Sequence, residues 1–108
     1  MDVADGPDVV VTVAAENPME PVIALAGELD LATVEATRAG ITPCLANRPT
    51  RVTFDLERLT FMDSSGIALL VQISNDVEQV TLIHVAPIVY RVLEATGLLE
   101  HFGLATQS

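Results

Sequence analysis

The sequence predicts an α/β protein in which a mixed β-sheet packs against helices, in the order β-β-α-β-α-β-α. Three observations lead there. Short apolar, β-branched runs recur at Val9–Ala14, Val22–Gly27, Arg51–Leu56 and Val80–Val85, the composition of half-buried strands. From the second run onward, each is followed by a longer stretch with apolar residues at helical spacing. Gly, Pro, Asn and Asp punctuate the joints. Strands separated by helices then pair in parallel through right-handed crossovers.

Taken in order, residues 1–8 mix Asp, Gly and Pro and read as a frayed lead-in. Val9–Ala14 is the first strand. Asn17-Pro18 turns the chain, and Val22–Gly27 returns as its hairpin partner. Gly27-Glu28-Leu29-Asp30 closes that strand, and Asp30 or Thr33 can cap the next helix, whose apolar face holds Leu31, Val34, Ile41 and Leu45. Arg38 falls on the same stripe, where its stem can be buried and its head kept wet. Pro43 removes a helical hydrogen bond and predicts a kink or break between Gly40 and Pro43.

Asn47-Arg48-Pro49 ends this helix, and Arg51–Leu56 is the third strand, with Val52, Phe54 and Leu56 alternating against polar neighbours. A loop then leads to the helix of residues 64–75. Ile67, Leu70, Val71 and Ser74 form its inward face, and Leu69 and Ile73 point elsewhere. Such a helix is either covered on two sides or keeps an apolar patch for a partner. Val80–Val85 is the fourth strand. Pro87 opens the last helix at a position that tolerates a missing N–H, with Ile88, Val92, Leu93 and Ala95 as its packed stripe and Gly97 as its stop. Leu98–Leu104 adds a short strand or a terminal turn.

With 108 residues, half of them hydrophobic, the chain is expected to be one folded domain, 1–108. Fifteen acids stand against five arginines and no lysine, for a net charge of −10. Nucleic acid and anionic membrane surfaces are poor partners for such a balance, because phosphate binding rests on clustered Lys and Arg. No run reaches the roughly 20 apolar residues of a membrane helix, and the acidic start is unlike a signal peptide, so a cytoplasmic location is expected. Cys44 is the single cysteine, which excludes an internal disulfide and suits a small core residue.

The stretch Thr60–Ile67 carries the chemistry. Asp63-Ser64-Ser65-Gly66 stands where a helix begins, and it has two readings. Asp and Ser are favoured N-cap residues, so the motif can be capping alone. The unpaired N–H groups and positive dipole end of a helix also favour a carboxylate, a hydroxyl or a phosphate, so the same position can be an anion site.

Four ordered signatures resemble the STAS domain family, and within it the anti-sigma factor antagonists of bacterial partner-switching systems. They are Gly27-Glu28-Leu29-Asp30, Asp55-Leu56, Phe61-Met62-Asp63-Ser64-Ser65-Gly66 and Val92-Leu93-Glu94-Ala95-Thr96-Gly97-Leu98. The resemblance implies a STAS-like fold and makes Ser65 the phosphorylated residue, with Ser64 as the alternative and Asp63 as its acidic flank. Partner contact then falls on Asp30, Asp63, Ser64, Ser65, Gly66, Ile67 and Leu69. The implied partners are an anti-sigma factor that is also a serine kinase, and a serine phosphatase that resets the cycle. This chain would be their substrate, with no cofactor and no catalytic machinery of its own, as a monomer or weak dimer. A second reading is a STAS subunit that stabilises a larger complex, such as a lipid-transport ATPase assembly, through the apolar face at Leu69 and Ile73.

Enzymatic readings find little support. A nucleophilic Ser64 or Ser65 needs a base, and the two histidines, His84 at a strand end and His101 near the tail, stand in no nucleophile-elbow motif and no visible His–Asp pairing. The acids are scattered, without the spacing of a zinc or calcium motif, so no metal site is expected.

Overall fold

A computed structural model describes residues 9–98 and 102–104. The elements follow the expected order: β1 (Val10–Ala14), β2 (Val22–Leu29), α1 (Val34–Leu45), β3 (Arg51–Met62), α2 (Ser64–Asp76), β4 (Gln79–Ile83), α3 (Pro87–Ala95) and a short β5 (Gly103–Leu104). The expectations for residues 1–8 and for His101 lie outside the described residues. The sheet runs β1-β2-β3-β4-β5. β1 pairs antiparallel with β2, and every later pair is parallel.

This order decides where the helices lie. Parallel strands that step across the sheet in one direction, joined by right-handed crossovers, carry their connecting helices on one face. Burial agrees: Ile23 and Leu25 of β2, Val52, Phe54 and Leu56 of β3, and Val80 and Leu82 of β4 are all sealed from solvent, whereas the alternating Ala24, Thr53, Asp55 and Thr81 are only half-buried. Gly40 of α1 sits over β1, so close that an added Cβ would lie 3.2 Å from Val11 Cγ2.

β3 is longer than its alternation predicts. The strand continues beyond Leu56 to Met62, through the stretch read as a loop. Its register against β2 slips twice: Ala24 and Ala26 face Asp55 and Arg58, and Gly27 and Glu28 face Leu59 and Phe61. Each slip places one extra residue in β3, a β-bulge. Buried positions therefore pass from Leu56 to Leu59 and then Met62, three apart instead of two, and the period-2 signal disappears although the strand does not. Gly27 takes a φ of 114 at the second slip, and its carbonyl accepts a 3.0 Å hydrogen bond from Thr60 Oγ1.

The helices correct three further expectations. Leu31 precedes α1 and is 77% exposed; the buried residues of that helix are Val34, Thr37 and Ile41. Thr37 is absorbed because its hydroxyl donates to Thr33 O at 2.9 Å. Pro43 does not break α1, which runs on to Leu45; near a helix end few turns remain to be disturbed. In α3 the buried residues are Val89 and Leu93, whereas Ile88 is exposed and Val92 only half-buried. α3 ends as expected at Gly97, with φ 76. Leu98 N–H donates to Leu93 O and Gly97 N–H to Glu94 O, both at 3.1 Å, the paired bonds of a Schellman motif.

Candidate functional site

The Asp63–Gly66 segment lies at the junction of β3 and α2. Asp63 is the N-cap, in extended conformation, and its Oδ1 accepts a 2.8 Å hydrogen bond from the Ser65 backbone N–H. Its own N–H donates to Leu29 O at 3.2 Å, and its carbonyl accepts from Ile67 N–H at 3.1 Å. The end of β3 and the start of α2 are thus tied to the end of β2. Gly66 completes the junction by its lack of bulk: a Cβ there would lie 2.6 Å from Met62 Cγ and 2.7 Å from Leu29 Cγ. Only glycine lets the first turn of α2 approach the sheet this closely.

The hydroxyls are placed differently from one another. Ser64 is exposed and Ser65 half-buried. Among the described residues Ser65 Oγ makes no hydrogen bond, so it is free for chemistry beside unpaired helix N–H groups.

Asp30 forms the neighbouring loop. Its Oδ1 accepts from Ala32 N–H at 2.9 Å and Thr33 N–H at 3.2 Å, while its N–H donates to Thr33 Oγ1 at 3.0 Å. Thr33, nearly buried, donates its hydroxyl to Glu28 O at 2.7 Å. Thr33 is the N-cap of α1 but makes no side-chain bond to the helix; both expected caps instead hold the turn that precedes it. Asp30 is half-buried with a structural task, and Leu31 is the residue the turn pushes into solvent. Sequence reasoning missed Leu31 as a surface residue because its spacing fits the α1 stripe. Neither Asp30 nor Asp63 takes part in an ion pair among the described residues, where Arg38 pairs with Glu35 and His84 with Asp55.

Three of the residues expected to meet a partner are withdrawn from the surface. Gly66, Ile67 and Leu69 are buried, Leu69 completely. Leu69 and Ile73 do point away from the inward face assigned to α2, but toward α1: with Ile41 and Leu45 they line a groove of about 380 Å³ between the two helices. Arg38 reaches across it, donating to Gln72 Oε1 at 2.6 Å. Of the two arrangements open to an all-round apolar helix, the structure adopts the covered one. Asp30, Asp63, Ser64 and Ser65 remain accessible.

The fold also makes a His–Asp pair that chain spacing does not reveal. His84 Nδ1 lies 3.0 Å from Asp55 Oδ1. Donor atoms of Asp55, Glu57 and His84 all fall within 4.8 Å of one another, correcting the view that the acids are merely scattered. Ser64 and Ser65 make no hydrogen bond to His84, so the pair does not complete a catalytic triad. No helix of the described residues is long and apolar enough to cross a membrane.

Comparison with known proteins gives consistent findings. The STAS domain family model matches residues 11–108. The anti-sigma F factor antagonist of Lysinibacillus sphaericus is 37% identical over 82 residues, 71% of this chain and 70% of that protein. The solved structure of the anti-sigma factor antagonist SpoIIAA in its unphosphorylated form is similar with a TM-score of 0.76 and 31% identity, over 91% of this chain and 90% of the other. The phosphorylated form of the Bacillus cell fate determinant SpoIIAA matches with a TM-score of 0.68 and 30% identity, over 91% and 93% of the two chains.

Proposed function

The chain belongs to the STAS domain family, and we propose that it is an anti-sigma factor antagonist whose contact with its anti-sigma factor is switched by phosphorylation of Ser65. The observation that carries this reading is the Ser65 hydroxyl, unbonded on the first turn of α2 and flanked by the Asp63 cap. Two similar structures, of SpoIIAA, are of its unphosphorylated and its phosphorylated form, which supports a role for the modification in proteins of this kind.

The chemistry follows from the position. An anti-sigma factor acting as a serine kinase transfers the γ-phosphoryl of ATP to Ser65 Oγ: the new O–P bond replaces the bond to the ADP oxygen, and the hydroxyl proton leaves to a base of the kinase. The product carries about −1.5 to −2 charge and three acceptor oxygens. The N-terminal end of α2 can hold such an anion without unfolding. The surface nevertheless gains bulk and becomes more negative, because Asp63 and Asp30 add to the charge and neither has an ion-pair partner among the described residues. A complex docked over Ser64, Ser65 and the exposed Leu31 then meets bulk and uncompensated charge. Repulsion of a few kcal/mol lowers affinity by orders of magnitude. A serine phosphatase restores the binding form. In this cycle the chain is a cytoplasmic substrate and not an enzyme.

The alternative of a permanent STAS subunit in a transport assembly rested on an exposed apolar face at Leu69 and Ile73. Both are buried, which removes its support.

The test is a pull-down from source cells with wild type, Ser65→Ala and Ser65→Asp as baits. Wild type and Ser65→Ala should capture a kinase-like partner that Ser65→Asp loses. Equal capture by all three would overturn the switch.

A further inference from the structure

A cluster away from Ser65 has chemistry that the switch does not use. Asp55 lies opposite Ile83 in the β3–β4 register, and His84 follows immediately, with a φ of 56. A left-handed conformation at a non-glycine residue is uncommon and marks a position held by its surroundings. Here the imidazole stands against β3, with Nδ1 3.0 Å from Asp55 Oδ1. Glu57 N–H donates to the same carboxylate oxygen at 3.1 Å, which fixes the orientation of the Asp55 side chain. One donor atom from each of Asp55, Glu57 and His84 lies within 4.8 Å of the others.

We propose that Asp55, Glu57 and His84 bind a divalent transition-metal ion of the zinc class, with water completing the coordination. An ion bound tetrahedrally at ~2.0–2.2 Å keeps its ligand atoms roughly 3.4 Å apart. Asp55 Oδ1 and His84 Nδ1 stand 3.0 Å apart as a hydrogen-bonded pair; metal binding replaces the shared proton and needs them to part by only roughly 0.4 Å. Glu57 is exposed, and rotation of its side chain closes the remaining distance at little steric cost. The donor set selects the metal: imidazole suits zinc, cobalt, nickel and copper, whereas magnesium and calcium prefer oxygen alone. Two carboxylates offset the charge of the ion, and the net charge of −10 raises the local concentration of cations. With side-chain exposures of 48% for His84 and 26% for Asp55, the site is open to solvent, so the ion exchanges readily. When bound, it ties the end of β4 to the middle of β3.

The test uses the purified, metal-free full chain, titrated with zinc chloride by calorimetry in a non-coordinating buffer. The visible absorption of added cobalt(II) reports ligand geometry. One ion should bind per chain, His84→Ala and Glu57→Gln should each weaken binding at least tenfold, and His101→Ala should leave it unchanged. Circular dichroism checks each fold; should His84→Ala unfold, Glu57→Gln, altered at an exposed side chain, carries the test. Absence of saturable binding, unchanged affinity in Glu57→Gln, loss in His101→Ala instead, or displacement of zinc by equimolar magnesium would overturn the proposal. None of these readouts depends on Ser65 or on a protein partner.

Discussion

Asp63 Oδ1 accepts a 2.8 Å hydrogen bond from the backbone N–H of Ser65, so the acidic residue beside the proposed phosphorylation site is also the cap of the helix that presents it. Removing the cap exposes an orphan N–H and should destabilise the fold by ~1 kcal/mol. Asp63→Ala is therefore expected to melt about 4–8 °C below wild type. Asp63→Asn, which keeps an acceptor oxygen, should lose much less. Thermal denaturation followed by circular dichroism distinguishes the two.

Gly66 has no space for a side chain. With a Cβ only 2.6 Å from Met62 Cγ and 2.7 Å from Leu29 Cγ, Gly66→Ala forces α2 outward or those side chains off their rotamers, at a cost of roughly 1–3 kcal/mol. Chemical denaturation should show a lower midpoint. A midpoint equal to wild type would mean that the junction yields freely.

Leu31 and Leu69 should respond in opposite ways. Leu31 is 77% exposed and Leu69 fully buried. Leu31→Ser should leave stability within about 0.5 kcal/mol of wild type while weakening capture of the anti-sigma partner. Leu69→Ala should destabilise by ~2–5 kcal/mol and affect partner binding only as far as the protein unfolds. Melting curves and binding isotherms on the same preparations separate the two effects.

The switch should depend on salt. If the phosphoryl group on Ser65 acts through charge beside Asp63 and Asp30, raising ionic strength from about 0.01 to 0.15 M shortens the Debye length from ~30 to ~8 Å and should recover part of the affinity lost on phosphorylation. Binding of the phosphorylated chain, measured across a salt series, checks this. A salt-independent loss would assign the effect to bulk.

Cys44 should be a poor nucleophile. Burial disfavours the thiolate and pushes its pKa above the ordinary cysteine value of about 8.5, and the thiolate is the reactive form. At pH 7–8 its fraction is smaller than in a free cysteine, so alkylation should be slower than for a model thiol and should still be accelerating at pH values where a model thiol has levelled off. Iodoacetamide labelling followed by mass spectrometry measures the rate.

Much of the fold is written in local chemistry. The element order, the Asp63 cap, Pro87 at the start of α3 and Gly97 at its end all follow from preferences that act within a few residues. The same locality made the helix start at Asp63-Ser64-Ser65-Gly66 legible, because a helix start depends on its own first turn. Other features depend on residues far apart in the chain. The bulges that carry β3 on to Met62 arise from its pairing with β2, and they erase the alternation by which a strand is recognised. Leu69 and Ile73 are covered because α1 packs beside them; helical spacing shows which side chains share a face but not what lies against it. Leu31 is exposed because the Asp30–Thr33 turn delays the helix. His84 meets Asp55 across 29 positions of sequence, a distance closed only by strand pairing. Hydrogen-bonding preferences of single residues decide where elements begin and end, whereas burial and long-range pairing are properties of the assembled sheet and helices.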